Sequence, residues 1–199
     1  MPKLRDETYA ARRRHILDSA RACFARKGFH ATSMHDLQEE AGVSVGALYV
    51  YFTSKQEIVR AIAEESIDRL ATALDGALDA QDGGSLRDTL RAVVTLMDRI
   101  ARGPYGSAGF DVWGEAGRDP AIGAIVKRRQ AALVERFTEI TRRAIDRGEL
   151  PADADPGRVG AALFGACVVG YYTQRLTCGG PGPSAYVDGL LTGLGARRR

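Results

Sequence analysis

The sequence predicts an all-α protein of about nine helices, and three observations carry that prediction. Apolar residues recur every three or four positions through most of the 199 residues, which is the spacing of one helix face. No stretch alternates apolar and polar residues in the way a half-buried strand does. Ser, Asp, Gly and Pro interrupt the apolar stripes where helices start and stop. The length suits one small and one medium domain, and 45% apolar with 27% charged residues is a globular composition.

Taken in order, residues 1–7 show no periodicity and read as an arm. Lys3 and Arg5 on it are available to a polyanion, although a frayed tail is the simpler reading. A helix follows from about Thr8 to Lys27, with Ile16, Leu17, Ala20, Cys23 and Phe24 on its inward face, and Gly28 closes it. Residues 33–55 then form a helical hairpin. Ser33 is placed as an N-cap, with Asp36 where the reciprocal partner of a capping box stands. Leu37 and Ala41 face inward, and Gly42 sits where a positive φ ends the helix. Val43 plugs the angle. Ser44 caps a second short helix whose inward residues are Leu48 and Phe52. This leaves Val45, Gly46, Ala47, Tyr49 and Tyr51 facing out, a small surface with aromatic edges of the kind that enters a DNA major groove. An ordinary helical hairpin within an all-α domain has the same frame.

A long helix, about 55–79, starts at Thr53 or Ser54 with Glu57 completing a capping box, and its length suits a connector between modules. Asp82-Gly83-Gly84 ends it. Further helices are expected at about 86–102, in a short stretch carrying Phe110, Val112, Trp113 and Ala116, and at about 120–147, 157–177 and 184–196. The arginines of the 120–147 helix read as a solvated face. The domain boundaries that follow are 8–55 for the hairpin module, continued by the connector to about 79, and 80–199 for a second helical domain.

The net charge of +3 is not evenly spread. Residues 1–60 hold ten basic and seven acidic side chains, and the remainder holds eighteen of each. The excess therefore lies with the hairpin, which suits a polyanionic partner for that module. Cys23, Cys167 and Cys178 are odd in number and widely spaced, giving neither a disulfide framework nor a metal site and fitting a reducing cytoplasm. No metal or other cofactor is expected. The N-terminus lacks a secretory h-region, and the apolar run 159–172 is too short to span a bilayer. No nucleophile elbow, phosphate loop or metal-binding motif is present, although Tyr105-Gly106-Ser107-Ala108-Gly109 approaches the elbow pattern without its first Gly.

Lys27-Gly28-Phe29-His30-Ala31-Thr32-Ser33, Ala41-Gly42-Val43-Ser44 and Leu48-Tyr49-Val50-Tyr51-Phe52-Thr53-Ser54-Lys55 together resemble the DNA-binding segment of tetracycline-repressor-type (TetR/AcrR) regulators. The similarity covers about residues 8–70. Beyond it the chain is similar in helical layout and in Trp113-Gly114-Glu115-Ala116-Gly117-Arg118-Asp119-Pro120. The resemblance implies an N-terminal three-helix helix-turn-helix domain followed by a C-terminal helical ligand-binding and dimerisation domain.

Carried over by position, it places Thr32 and Ser33 near a phosphate, His35 near a base or phosphate, and Val45, Gly46 and Ala47 at the start of the recognition helix, capped by Ser44. Tyr49, Tyr51 and Lys55 stand where the family contacts phosphates. Two bland alternatives stay open: Tyr49 and Tyr51 as framework aromatics, and Lys55 as the partner of a nearby acid. Val45, Gly46 and Ala47 offer no side-chain hydrogen bond to a base edge, so sequence choice rests on His35, thymine methyls, backbone approach at Gly46 and DNA shape.

The resemblance also implies a chamber for a small effector, for which Met97, Phe110, Trp113, Tyr171, Tyr172 and Gln174 are candidate lining residues, each equally compatible with plain core. Few of these are charged, which favours a mainly apolar effector. A two-fold homodimer is expected, because helix-turn-helix proteins usually read palindromes. Its surface is expected on the last two helices, with Ala162, Ala166 and Gly170 recurring every four residues and Leu190, Leu191 and Leu194 adding apolar area. Packing within the chain against the 86–102 helix is the alternative. The expected function is a cytoplasmic, ligand-responsive repressor of double-stranded DNA that is not an enzyme and has no membrane partner. An activator or nucleoid-type binder without a working effector site, or a helical enzyme, are the alternatives.

Overall fold

The computed structural model describes residues 2–103, 106 and 113–196, with residues 2–7 by backbone alone. All regular structure among them is helical. The helices are α1 (Pro2–Lys27), α2 (Met34–Ala41), α3 (Val45–Tyr51), α4 (Lys55–Asp79), α5 (Leu86–Arg102), α6 (Pro120–Asp146), α7 (Pro156–Phe164), α8 (Tyr171–Cys178) and α9 (Pro183–Gly193), and Gly165–Gly170 joins α7 to α8 through π-helical turns. Residues 113–116 are helical as well.

The chain forms two compact units, residues 1–66 with 107–124, and residues 67–106 with 125–199. In the first unit, Ile16, Leu17, Ala20, Cys23 and Phe24 of α1 are buried, as are Leu37, Ala41, Leu48, Phe52 and Ile58, and α1 packs on α2. The expected arm is instead the first turn and a half of α1, which begins at Pro2. Proline is at home there, because the first turn needs no N–H donor and its φ is already helical.

The second unit is built on α5. Leu90, Val93, Val94 and Met97 bury one face of it among Leu133, Phe137, Leu163, Phe164, Cys167, Tyr171, Val187 and Leu191. Gly160 brings α7 onto the backbone of α6: a Cβ placed there would lie 2.7 Å from both Cα and N of Thr138. Gly160 therefore serves packing within the chain. Asp155 starts α7 by accepting from the Arg158 N–H at 2.8 Å.

Candidate nucleic-acid interface

Short-range chemistry fixes the hairpin. Ser33 Oγ accepts from the Asp36 N–H at 3.1 Å while Asp36 Oδ2 accepts from the Ser33 N–H at 2.8 Å, closing the capping box. Gly42 takes φ +59°, and the N–H groups of Gly42 and Val43 return to the Glu39 and Gln38 carbonyls at 3.1 and 3.3 Å. This 5→2 and 6→1 pair is a Schellman ending. Gln38 Nε2 donates to the Val43 carbonyl at 2.8 Å, and His15 Nε2 on α1 donates to the Ala41 carbonyl at 2.9 Å. Ser44 Oγ then accepts from the Ala47 N–H at 3.2 Å to start α3.

On this frame α3 buries Leu48 and presents Val45 (56% exposed), Tyr49 (48%) and Val50 (68%). No neighbouring atom lies within 4 Å of where a Gly46 Cβ would be, so the backbone at Gly46 is open to close approach. Ala47 is half-buried beside it. Val50 is absent from the sequence-predicted set. It was legible there, since two residues on a helix turn about 200° and Val50 lies between inward Leu48 and Phe52. His35 is exposed, with Nδ1 3.2 Å from Gln38 Oε1 and Nε2 3.4 Å from Glu39 Oε1.

Three of the side chains expected at phosphates are bonded within the chain. Thr32 is 1% exposed, and its hydroxyl donates to the Gly28 carbonyl at 2.8 Å. The Ser33 hydroxyl is occupied in the capping box, donating to Asp36 Oδ2 at 2.7 Å. Lys55 Nζ donates to the carbonyls of Phe29, Thr32 and His30 at 3.0, 2.8 and 3.4 Å and lies 4.7 Å from the Phe29 ring centre. All three ammonium protons are thereby directed into the loop, so Lys55 builds the loop and neither faces outward nor pairs with an acid. Tyr51 is half-buried against Tyr9 of α1, ring centres 4.6 Å apart, which makes it part of the frame. Tyr9, 46% exposed, adjoins the interface and could not be found by local pattern.

Charge around the hairpin is partly self-compensated. Lys27 pairs with Asp36 at 2.6 Å, and Arg26 pairs with Glu40. Lys27, then the Ser33 hydroxyl and N–H, hold the Asp36 carboxyl well below the usual carboxylate range, and Arg26 does the same for Glu40. Arg12 and Arg14 are exposed on α1.

In the second unit Met97 and Tyr171 are each 1% exposed within the core. The Tyr171 hydroxyl donates to Asp98 Oδ1 at 3.0 Å, the same carboxylate that takes Arg175 Nε at 2.7 Å and Arg102 Nε at 2.8 Å. Burial pushes the Asp98 carboxyl up, but Tyr171, Arg102 and Arg175 together carry it below its ordinary value. Burial and the Asp98 hydrogen bond push the Tyr171 hydroxyl up to about 12. Tyr172 donates to the Gly106 carbonyl, and Gln174 is exposed. Trp113 is 38% exposed and belongs to the first unit, and Phe110 lies outside the described residues. Cavities of about 130, 220 and 650 Å³ open on the second unit, and none of these three is lined by Met97, Tyr171, Tyr172 or Gln174. Met97 and Tyr171 are packed in the core of the second unit.

Of the expected dimer residues, Ala162 and Gly170 are exposed and Ala166 is half-buried. Leu190 and Leu194 are half-buried against the core, and Leu191, 3% exposed, is inside it. Leu191 is thus removed from the surface by the packing of α9 on α5.

Residues 16–62 match the family model described as bacterial regulatory proteins, tetR family, and residues 80–193 match the tetracyclin repressor-like C-terminal domain. The chain is 30% identical to the uncharacterized HTH-type transcriptional regulator YfiR of Bacillus subtilis (strain 168), covering 74% of this chain and 72% of that one. It is 29% identical to the HTH-type transcriptional regulator TtgR of Pseudomonas putida, covering 90% and 78%. A solved regulator from Saccharomonospora viridis, in complex with choline, shares the fold at TM-score 0.76 and 22% identity, covering 95% of this chain and 100% of that one.

Proposed function

Because the chain belongs to the tetracycline-repressor family of bacterial regulators, we propose that it acts as a homodimeric repressor on a palindromic operator and that a small effector releases it. It is a DNA-binding transcriptional regulator. The observation that carries the DNA side is the outward face of α3, where Val45, Tyr49 and Val50 stand exposed on a helix capped at both ends. That helix has the size and apolar surface to meet thymine methyls in a major groove, with Gly46 allowing close backbone approach. Residues 8–55 are the DNA-binding part, continued by α4 to about 79, and residues 80–199 are the effector and dimer part. Ala162, Ala166 and Gly170 form the low surface on which a second copy packs. The site of action is the cytoplasm, where the operator is.

Release requires that the effector prefer the conformation that does not fit the operator. The solved S. viridis relative carries choline, which supports a small-molecule site in this architecture. We read the effector here as small and mainly apolar. The test is footprinting and gel shift on DNA flanking the protein's own gene. A salt-sensitive, two-fold footprint with half-sites about 34 Å apart is expected, and the absence of sequence-selective binding overturns the proposal.

The tight packing of Met97 and Tyr171 favours a second reading, a DNA binder without a working effector site. A melting temperature unmoved by a broad ligand panel, with DNA binding intact, selects it.

A further inference from the structure

We propose that an open groove on the second unit, between α4 and α5, binds an amphipathic organic anion. The groove is largely open to solvent and offers about 650 Å³, a volume of the order of small-molecule sites. It lies on the face of α5 opposite to Leu90, Val93, Val94 and Met97, so it is separate from the core, and neither Asp98 nor Tyr171 lines it. Ala73 and Ala77 of α4, with Ala92 and Leu96 of α5, give it a low apolar floor.

The polar groups on the groove divide by sign of capacity. Its acid, Asp88, is engaged, with Oδ2 accepting from Ser85 Oγ at 2.6 Å at the start of α5. Arg91 and Arg99 have no ion pair or hydrogen bond among the described residues, and the Arg91 Nε is closed off from solvent with no acceptor. Elsewhere on the same helix Arg87 pairs with Asp188, and Arg102 pairs with Asp98. The groove therefore carries two guanidiniums against one carboxylate, a net positive charge. Two guanidiniums without an ion pair leave positive charge uncompensated, and a carboxylate or phosphate supplies acceptor and charge together in a geometry that suits guanidinium. Arg91 and Arg99 are eight residues apart, about 12 Å along the helix axis, so the anionic head meets one or both while the hydrocarbon body lies on the alanines and Leu96. This site stands whether or not the regulatory reading does.

The test is isothermal titration of the full chain with decanoate, decyl phosphate and 1-decanol, repeated on Arg91→Gln, Arg99→Gln and the double variant. Melting curves establish that each variant is folded. One saturable site is expected for decanoate or decyl phosphate, weakened at least tenfold by at least one of the single substitutions and lost in the double variant, with the tighter of the two probes naming the head group. Ala77→Trp, which fills the floor, is expected to weaken binding as much. The proposal is overturned if neither anion binds at millimolar concentration, if 1-decanol binds as tightly, or if the folded double variant keeps wild-type affinity.

Discussion

Lys55 holds Thr32 from 23 positions away in the chain: its ammonium lies 2.8 Å from the Thr32 carbonyl oxygen and 3.0 Å from that of Phe29. Gly28 turns the chain out of α1 with φ +79°, and the Thr32 hydroxyl returns to the Gly28 carbonyl. The loop leading into the hairpin is thus closed from both sides, and the orientation of α2 depends on it.

Lys55→Met keeps the stem and removes the charge. It is expected to lower the stability of the first unit by about 1.5–3 kcal/mol, the usual range for hydrogen bonds to a charged group, seen as a lower melting temperature without DNA. A residue whose only task was a phosphate contact would leave melting unchanged and reduce the slope of log affinity against log salt by about 1. That second result would return Lys55 to the DNA contacts.

The parts of this site that could be read from sequence are those encoded within about five residues. Ser33 with Asp36, Gly42, and Ser44 with Ala47 are caps, and a cap is specified by its own turn. Lys55 with Phe29, and Tyr9 with Tyr51, join positions far apart in the chain, and helical periodicity says nothing about such pairs. The same limit explains Leu191. Periodicity gave Leu190, Leu191 and Leu194 as one apolar group, but only the packing of α9 on α5 decides which of them is core. Whether Arg91 and Arg99 have partners is likewise decided by residues distant in the chain.

Val50 is 68% exposed on α3 and touches little of the fold. Val50→Glu is expected to leave the melting temperature within about 1 kcal/mol equivalent of wild type and to weaken operator binding at least about tenfold, since an acid is then brought against phosphates. Fluorescence anisotropy with labelled operator measures it. Unchanged affinity would move the DNA-contacting surface away from the C-terminal half of α3.

Asp36 gives the hairpin a pH dependence with a definite sign. Lys27 and Ser33 hold its carboxyl below the ordinary value of 3.8. A carboxyl depressed by folding contributes stability that is present above its unfolded value and is lost as pH falls through the folded one. The melting-temperature gap between wild type and Asp36→Asn is therefore expected to be constant near neutrality and to shrink below 3.8. A gap that stays level down to about pH 2 would mean that the carboxylate charge contributes nothing.

Two positions on α7 separate folding from assembly. Gly160 faces the α6 backbone, and because a Cβ there would come within 2.7 Å of Thr138 main-chain atoms, the two helices must part to admit it. Gly160→Ala is expected to cost about 1–3 kcal/mol of stability, the range for overpacking, in monomer and dimer alike. Ala162 is two residues on and exposed, so Ala162→Glu adds a charge without touching the core. It is expected to shift the dimer toward monomer in sedimentation experiments and to leave secondary structure unchanged. Leu191→Ala, within the core, is expected to behave like Gly160→Ala and cost about 2–5 kcal/mol. Should Ala162→Glu sediment as wild type while Leu191→Ala alone dissociates the dimer, the assembling surface would lie on α9 and not on the small residues of α7.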